Sequence, residues 1–266
     1  MPPIVVQTKH LTKKFGSFTA VDDLNMSIEE GEVYGFLGPN GAGKSTTIRM
    51  LCGLLAPTSG KGLVLGMDLA SNGQRLKEKI GYMSQKFSLY PELSVLENLN
   101  LYSGLYGLTG AEKKKRIDEM IALAGLVGRE DELTSSLSGG WRQRLALGCA
   151  ILHKPKILFL DEATSGVDPK ARLLFWDIIY DLAAGGTTVM VTTHFMDEAE
   201  HCNKVAFIYY GRLIADDSPD NLKKRIPGKL YEVSADDPMA LLAKVQAGEG
   251  GPMIDAYFFG DKVHLL

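Results

Sequence analysis

Three cysteines in 266 residues, Cys52, Cys149 and Cys202, are too few and too scattered for a disulfide framework or a zinc cluster. Each reads as a small buried apolar residue, and together they suit a reducing cytosol. No apolar run reaches the roughly 18 residues of a membrane span. The start, Met-Pro-Pro-Ile-Val-Val-Gln-Thr-Lys, lacks the long apolar segment of a signal peptide. Any work at a membrane therefore goes through a partner. Excess charge is also missing: the formal net charge is -3 and the pI near 6.0, so the chain has no general electrostatic footprint for nucleic acid. With 45% hydrophobic and 23% charged residues, the balance is that of a soluble globular protein.

What is present is concentrated in one stretch, Gly38-Pro39-Asn40-Gly41-Ala42-Gly43-Lys44-Ser45-Thr46. The spacing Gly38-x4-Gly43-Lys44-Ser45 is that of a phosphate-binding loop. An apolar strand at 33–37 leads in and a helical period at 46–55 leads out, the context such a loop needs. Glycines let backbone N–H groups turn inward on a polyphosphate. The helix N-terminus adds unpaired donors. Lys44 supplies a full charge at the β and γ phosphates, and the Ser45 hydroxyl is a ligand for Mg²⁺.

Around that loop the pattern is α/β. Strands at 4–8, 24–28 and 33–37 suggest an antiparallel layer beside the core, with Phe15-Gly16-Ser17-Phe18 in the turn. An aromatic there can stack on a base or simply pack on the sheet, and the residues alone favour packing. Further strands fall at 62–65, 80–84, 157–160, 187–193, 204–209 and 213–215, with helices at 74–78 and 173–182, one starting over 195–199, and one opening at Pro219. Alternation of strand and helix implies a mainly parallel sheet. Between them, 94–152 is helical, with capping boxes expected at Ser94-x-x-Glu97 and Thr109-x-x-Glu112. The run Lys113-Lys114-Lys115-Arg116 reads as a solvated helix face. Beyond Pro227-Gly228, strands at 230–234 and 254–259, a helix at 238–246 and a strand begun at Asp261 form a small appendage. That unit looks cut short, as in a truncated chain or one piece of a longer one. The expected division is 1–226, with a helical subdomain at 86–152, and 227–266.

Ligands of open parallel sheets sit at the carboxyl ends of strands. The strand 157–160 ends in Asp161-Glu162, a pair able to hold Mg²⁺ through water and to polarise an attacking water. Another strand ends at His194, within reach of a γ-phosphate, and another at Gln85, a candidate for the Mg²⁺ shell. Leu137-Ser138-Gly139-Gly140-Trp141 opens a helix as a second anion nest, or as a plain N-cap and turn. A second phosphate-seeking nest on a separate insert fits poorly into a single-site enzyme.

These motifs, in this order and with Ser165-Gly166-Val167-Asp168, resemble those of ATP-binding-cassette ATPases over about residues 4–222. The resemblance implies a P-loop NTPase core, ATP and Mg²⁺ as ligands, and a head-to-tail dimer. In that dimer each ATP lies between the phosphate loop of one cassette and the Ser138-Gly139-Gly140 tip of the other. It implies Phe15 as the adenine-stacking aromatic, where the family more often has Tyr. It also implies Glu162 as general base, His194 as switch residue, and Asp168 as the contact across the dimer. Trp141 departs from the family's Gln, and Gly166-Val167 from its commoner Ala-Leu. Within the family the chain is similar to stand-alone cassettes of ABC-2-type bacterial exporters. A transmembrane permease is then the expected partner, nucleic acid is not, and the location is the cytoplasmic face of the cell membrane. Residues 86–93, with Phe87, Leu89 and Tyr90, are where such cassettes meet their permeases. Packing within the insert is the equal alternative for those three. One half of a tandem-cassette protein and a cassette acting on ribosomes or nucleic acid are the alternative functions. A GTPase is disfavoured because Asn203-Lys204-Val205-Ala206 lacks the Asp that guanine recognition needs.

Overall fold

Two twelve-residue strands, β1 (Ile4–Phe15) and β2 (Phe18–Glu29), open the chain as an antiparallel hairpin whose last pair is Phe15 with Phe18. These strands and all that follow come from a computed structural model that describes residues 2–85, 89–248, 251 and 255–266. The sequence marks only 4–8 and 24–28, because beyond Thr8 pairing continues through polar Lys13, Lys14, Asp22 and Asp23, where no apolar alternation shows. β3 (Val33–Leu37) follows and is buried at all five positions. Helix α1 (Lys44–Leu51) starts inside the glycine loop and stops short of the expected 55, since Gly53 takes φ 67 and breaks the turn.

β4 (Ser59–Val64) pairs with β1, and β5 (Met67–Asp68) with β4, completing a four-stranded antiparallel sheet in the order β2-β1-β4-β5. After the short α2 (Gly73–Lys77), β6 (Ile80–Met83) enters the main sheet. Three helices then form an insert: α3 (Val95–Leu105), α4 (Gly110–Ala124) and α5 (Gly139–Ile151), which pack on one another. Ser94 and Glu97 make the expected capping box. Thr109 makes no side-chain cap, contrary to expectation, because Gly110 enters the helix at φ 60 and turns the approach away from residue 112. The basic run is also only partly solvated. Arg116 is 8% exposed and gives its guanidinium hydrogens to Ile151 O (2.7 Å) and Leu152 O (2.8 Å), closing the C-terminus of α5.

The α/β pattern resumes with β7 (Ile157–Asp161), α6 (Pro169–Ala184), β8 (Thr188–Thr193), β9 (Lys204–Tyr209), β10 (Arg212–Asp217) and α7 (Pro219–Lys224). The helix expected from 195 is a 3₁₀ turn at Asp197–His201. The main sheet runs β10-β9-β3-β8-β7-β6, and every pair except β10 with β9 is parallel.

The chain divides into two compact units, Met1–Pro219 and Asp220–Leu266. The second contains β11 (Tyr231–Val233), α8 (Pro238–Gln246), β12 (Ala256–Phe259) and β13 (Lys262–Leu265). β13 is central in an antiparallel sheet ordered β11-β13-β12, and α8 packs on β12 and β13. Asp237 caps α8 by accepting the Ala240 N–H at 3.0 Å, with Pro238 in the first turn. All three cysteines are buried and unpaired with one another. Burial raises their thiol pKa values, Cys202 to about 12, so they stay protonated and serve as packing.

Candidate functional site

β3, β8, β7 and β6 lie side by side and end at one edge of the main sheet. The residues singled out at strand ends therefore meet. The loop after β3 curls into α1 with Gly41 at φ 80 and Gly43 at φ 109. A Cβ on Gly43 would stand 2.5 Å from Ala20 O, and one on Gly38 would stand 2.3 Å from Ile208 O. Only glycine fits those two positions. Lys44, 4% exposed, directs its Nζ to Gly38 O (2.8 Å), Pro39 O (3.1 Å) and Glu162 Oε1 (3.1 Å).

The buried Asp161 takes hydrogen bonds on one oxygen, Oδ1, from the Ser45 hydroxyl at 3.0 Å and the Thr192 hydroxyl at 2.8 Å. Glu162 sits at φ 50, a left-handed conformation uncommon for a residue with a Cβ. Its Oε2 accepts from Gln85 Nε2 at 3.1 Å and lies 3.7 Å from His194 Nδ1. That histidine nitrogen is buried without a hydrogen-bond partner.

A cavity of about 400 Å³ opens over these groups. Phe15, Phe18 and Ala20 line one end, and Asn40, Gly41, Gly43, Lys44, Ser45, Thr46, Gln85 and Glu162 the other. One wall is aromatic and apolar, and the other offers backbone donors, an ammonium and a carboxylate. That is the division a purine nucleotide polyphosphate needs. Ser45 and Asp161 supply hard oxygen donors side by side, which fits Mg²⁺ held jointly with phosphate oxygens and water. Among the described residues no cluster of three or more His, Cys, Asp or Glu side chains offers a complete protein cage for a metal.

Ser138, Gly139 and Gly140 do not line this cavity. Ser138 is exposed and makes no side-chain cap, so the first N–H groups of α5 lack that partner. A Cβ on Gly140 would meet the Cβ of Ala171 at 2.8 Å, so close packing on α6 accounts for that glycine. Trp141 packs beneath the Arg129 guanidinium, 3.7 Å from its ring centroid. Asp168 is exposed and caps α6 by accepting from Ala171 N–H at 3.0 Å. Gly166 takes φ 74 in open surroundings, a backbone that suits glycine better than the family's commoner alanine.

Of the residues expected beyond the strand ends, Phe87 lies outside the described residues. Tyr90 is 46% exposed. Leu89 lies with Tyr102, Tyr106 and Cys149 around a small cavity of the helical insert. Asn203 and Lys204 are employed by the fold: Asn203 Oδ1 accepts from Val33 N–H at 2.8 Å, and Lys204 pairs with Asp216 at 3.0 Å.

Phe18, named with Phe15 in the turn, doubles the aromatic wall. Two contacts escaped the sequence. The fully buried Gln143 of α5 donates to Ala163 O, one residue past Glu162. Thr192 bridges Asp161 and Glu162, and its only signal was a hydroxyl inside a wholly buried strand.

A family model described as ABC transporter matches residues 21–165. Over 219 residues the chain is 53% identical to "Probable multidrug ABC transporter ATP-binding protein YbhF" of Escherichia coli, a match covering 82% of this chain and 38% of that one. The chain thus spans about two fifths of that relative's length. It is 38% identical to "Nod factor export ATP-binding protein I" of Cupriavidus metallidurans, covering 82% of this chain and 72% of that one. Among solved structures, a dimeric post-hydrolysis ATP-binding cassette bound to ADP and phosphate superposes with a TM-score of 0.73 at 29% identity, covering 80% and 98%.

Proposed function

Since this chain belongs to the ABC transporter family, we propose that it binds and hydrolyses ATP and drives export through a separate membrane subunit. The carrying observation is the joined set Lys44, Glu162, Asp161 and Ser45 at the mouth of a glycine loop. In this reading the adenine stacks on Phe15. The loop amides of 38–46 and Lys44 hold the phosphates. Ser45, Asp161 and Gln85 hold Mg²⁺, which when bound neutralises phosphate charge.

Glu162 orients the attacking water and accepts its proton, and His194 faces the γ-phosphate. The tip Ser138-Gly139-Gly140 serves a facing cassette's nucleotide, with Asp168 as contact between the two cassettes. The facing signature comes from a second copy or from a second cassette on a longer chain. The solved dimer of a similar cassette with ADP and phosphate supports that arrangement.

Among the described residues no helix is long and apolar enough to cross a membrane. In this reading translocation falls to an ABC-2-type permease, with this chain on the cytoplasmic face beside it, and the likeness to exporter ATP-binding proteins supports it. The name of a relative that speaks of Nod factor export supports the export direction.

Replacing the base tests the reading. Glu162→Gln keeps ATP binding within about 2-fold while turnover falls about 100-fold or more. Light scattering of that variant with ATP then reports a trapped dimer. Hydrolysis at the wild-type rate would remove Glu162 from its role.

A further inference from the structure

We propose that Thr192 is a positioning residue that sets both catalytic carboxylates at once, through a single hydroxyl. The inference rests on the hydrolase reading of the site and adds to it a fully buried residue that is absent from the lining of the cavity.

Thr192 is fully buried on β8, which lies between β3 and β7. In register it sits beside Phe36 on one side and Asp161 on the other. Its hydroxyl hydrogen goes to Asp161 Oδ1 at 2.8 Å. Its oxygen accepts the backbone N–H of Glu162 at 3.0 Å. The same N–H also reaches Thr192 O at 3.1 Å. Ser45 donates to the same Asp161 oxygen, so among the described residues both side-chain hydrogen bonds to that carboxylate fall on Oδ1. That choice fixes the side-chain torsion of Asp161 and leaves Oδ2 for a water or a cation.

The second bond acts on Glu162. This residue turns out of β7 at φ 50, where a side chain with a Cβ is strained. A buried N–H held by two acceptors on the neighbouring strand keeps that turn in place. The turn in turn aims the carboxylate at Lys44 Nζ (3.1 Å) and Gln85 Nε2 (3.1 Å). One hydroxyl therefore couples the direction of the cation-side carboxylate to the backbone of the base.

Three variants separate this from a packing role. Thr192→Val keeps shape and branching but has no hydroxyl. Thr192→Ser keeps the hydroxyl and loses a methyl. Thr192→Cys offers only a weak donor and stands in should the valine variant not fold. Equilibrium binding of a fluorescent ATP analogue is measured with Mg²⁺ and with EDTA, beside steady-state kinetics and melting. In wild type Mg²⁺ tightens binding. In Thr192→Val that difference shrinks to about 2-fold or less, and kcat falls about 10- to 100-fold with KM changing far less. Affinity in EDTA is unchanged, and Thr192→Ser restores both quantities to within about 3-fold of wild type.

Wild-type metal dependence and kcat in Thr192→Val, or equal losses in the serine and valine variants, overturn the proposal. A wild-type protein that fails to bind or hydrolyse ATP is a different result, visible before any variant is made, and it removes the functional reading itself.

Discussion

Gly43 takes φ 109, and its Cα faces Ala20 O so closely that a methyl group would stand 2.5 Å from that oxygen. Conformation and space both demand glycine there, whereas Gly41, at φ 80 with nothing near its missing Cβ, is held by conformation alone. The two positions are thus unequal. Gly43→Ala displaces the loop amides and Lys44 together, so ATP affinity falls about 100-fold or more, while Gly41→Ala costs about 1–2 kcal/mol of local strain and a smaller part of the affinity. Isothermal titration of the two variants checks the order. Equal affinities would mean that the loop yields at Ala20.

At the scale of elements, α3 carries a side chain whose work is invisible in its own segment. Asn98 is fully buried, accepts the Tyr90 N–H on Oδ1 at 2.9 Å, and donates to Tyr90 O (3.0 Å) and Thr134 Oγ1 (2.9 Å). It ties the stretch before α3 and the turn before α5 to one helix. Asn98→Leu strands those buried backbone and hydroxyl groups, and urea unfolding is expected to register a loss of about 2–4 kcal/mol. A change below about 0.5 kcal/mol would show the bonds to be replaceable by water.

The same contrast explains what could be read beforehand. The phosphate loop, the carboxylate pair at the end of β7 and His194 after β8 announce themselves because their chemistry is written in neighbouring residues. The Ser94 cap is local in the same sense. Thr192, Gln143 and Arg116 are ordinary residues until the sheet and insert bring Asp161, Ala163 and the end of α5 to them. Thr109 misled for the opposite reason: a local pattern was present, and one glycine conformation cancelled it.

For the whole molecule, the Ser138-Gly139-Gly140 tip is absent from the wall of its own chain's cavity. On the proposed head-to-tail arrangement, each site draws its loop from one cassette and its Ser138-Gly139-Gly140 from the other. Two variants defective for different reasons then complement. Lys44→Ala spoils the loop and keeps the tip, whereas Ser138→Arg spoils the tip and keeps the loop. Each alone is expected to be nearly inactive, and an equal mixture to regain about a quarter of the wild-type rate from the one intact site in each mixed dimer. Absence of recovery at concentrations where mixed dimers form would place both elements in one site of one chain.

The wedge between Ala20 and Ile208 has one more effect. Those two oxygens belong to different sheets, and the Gly211 N–H donates to Ala42 O (2.9 Å) while Gly211 O takes the Asp22 N–H (2.8 Å). Like the keystone of an arch, the glycine loop is clasped by both flanks and cannot be re-seated without moving them. Any displacement of the nine loop residues would therefore press on the antiparallel layer and on the β9–β10 hairpin together.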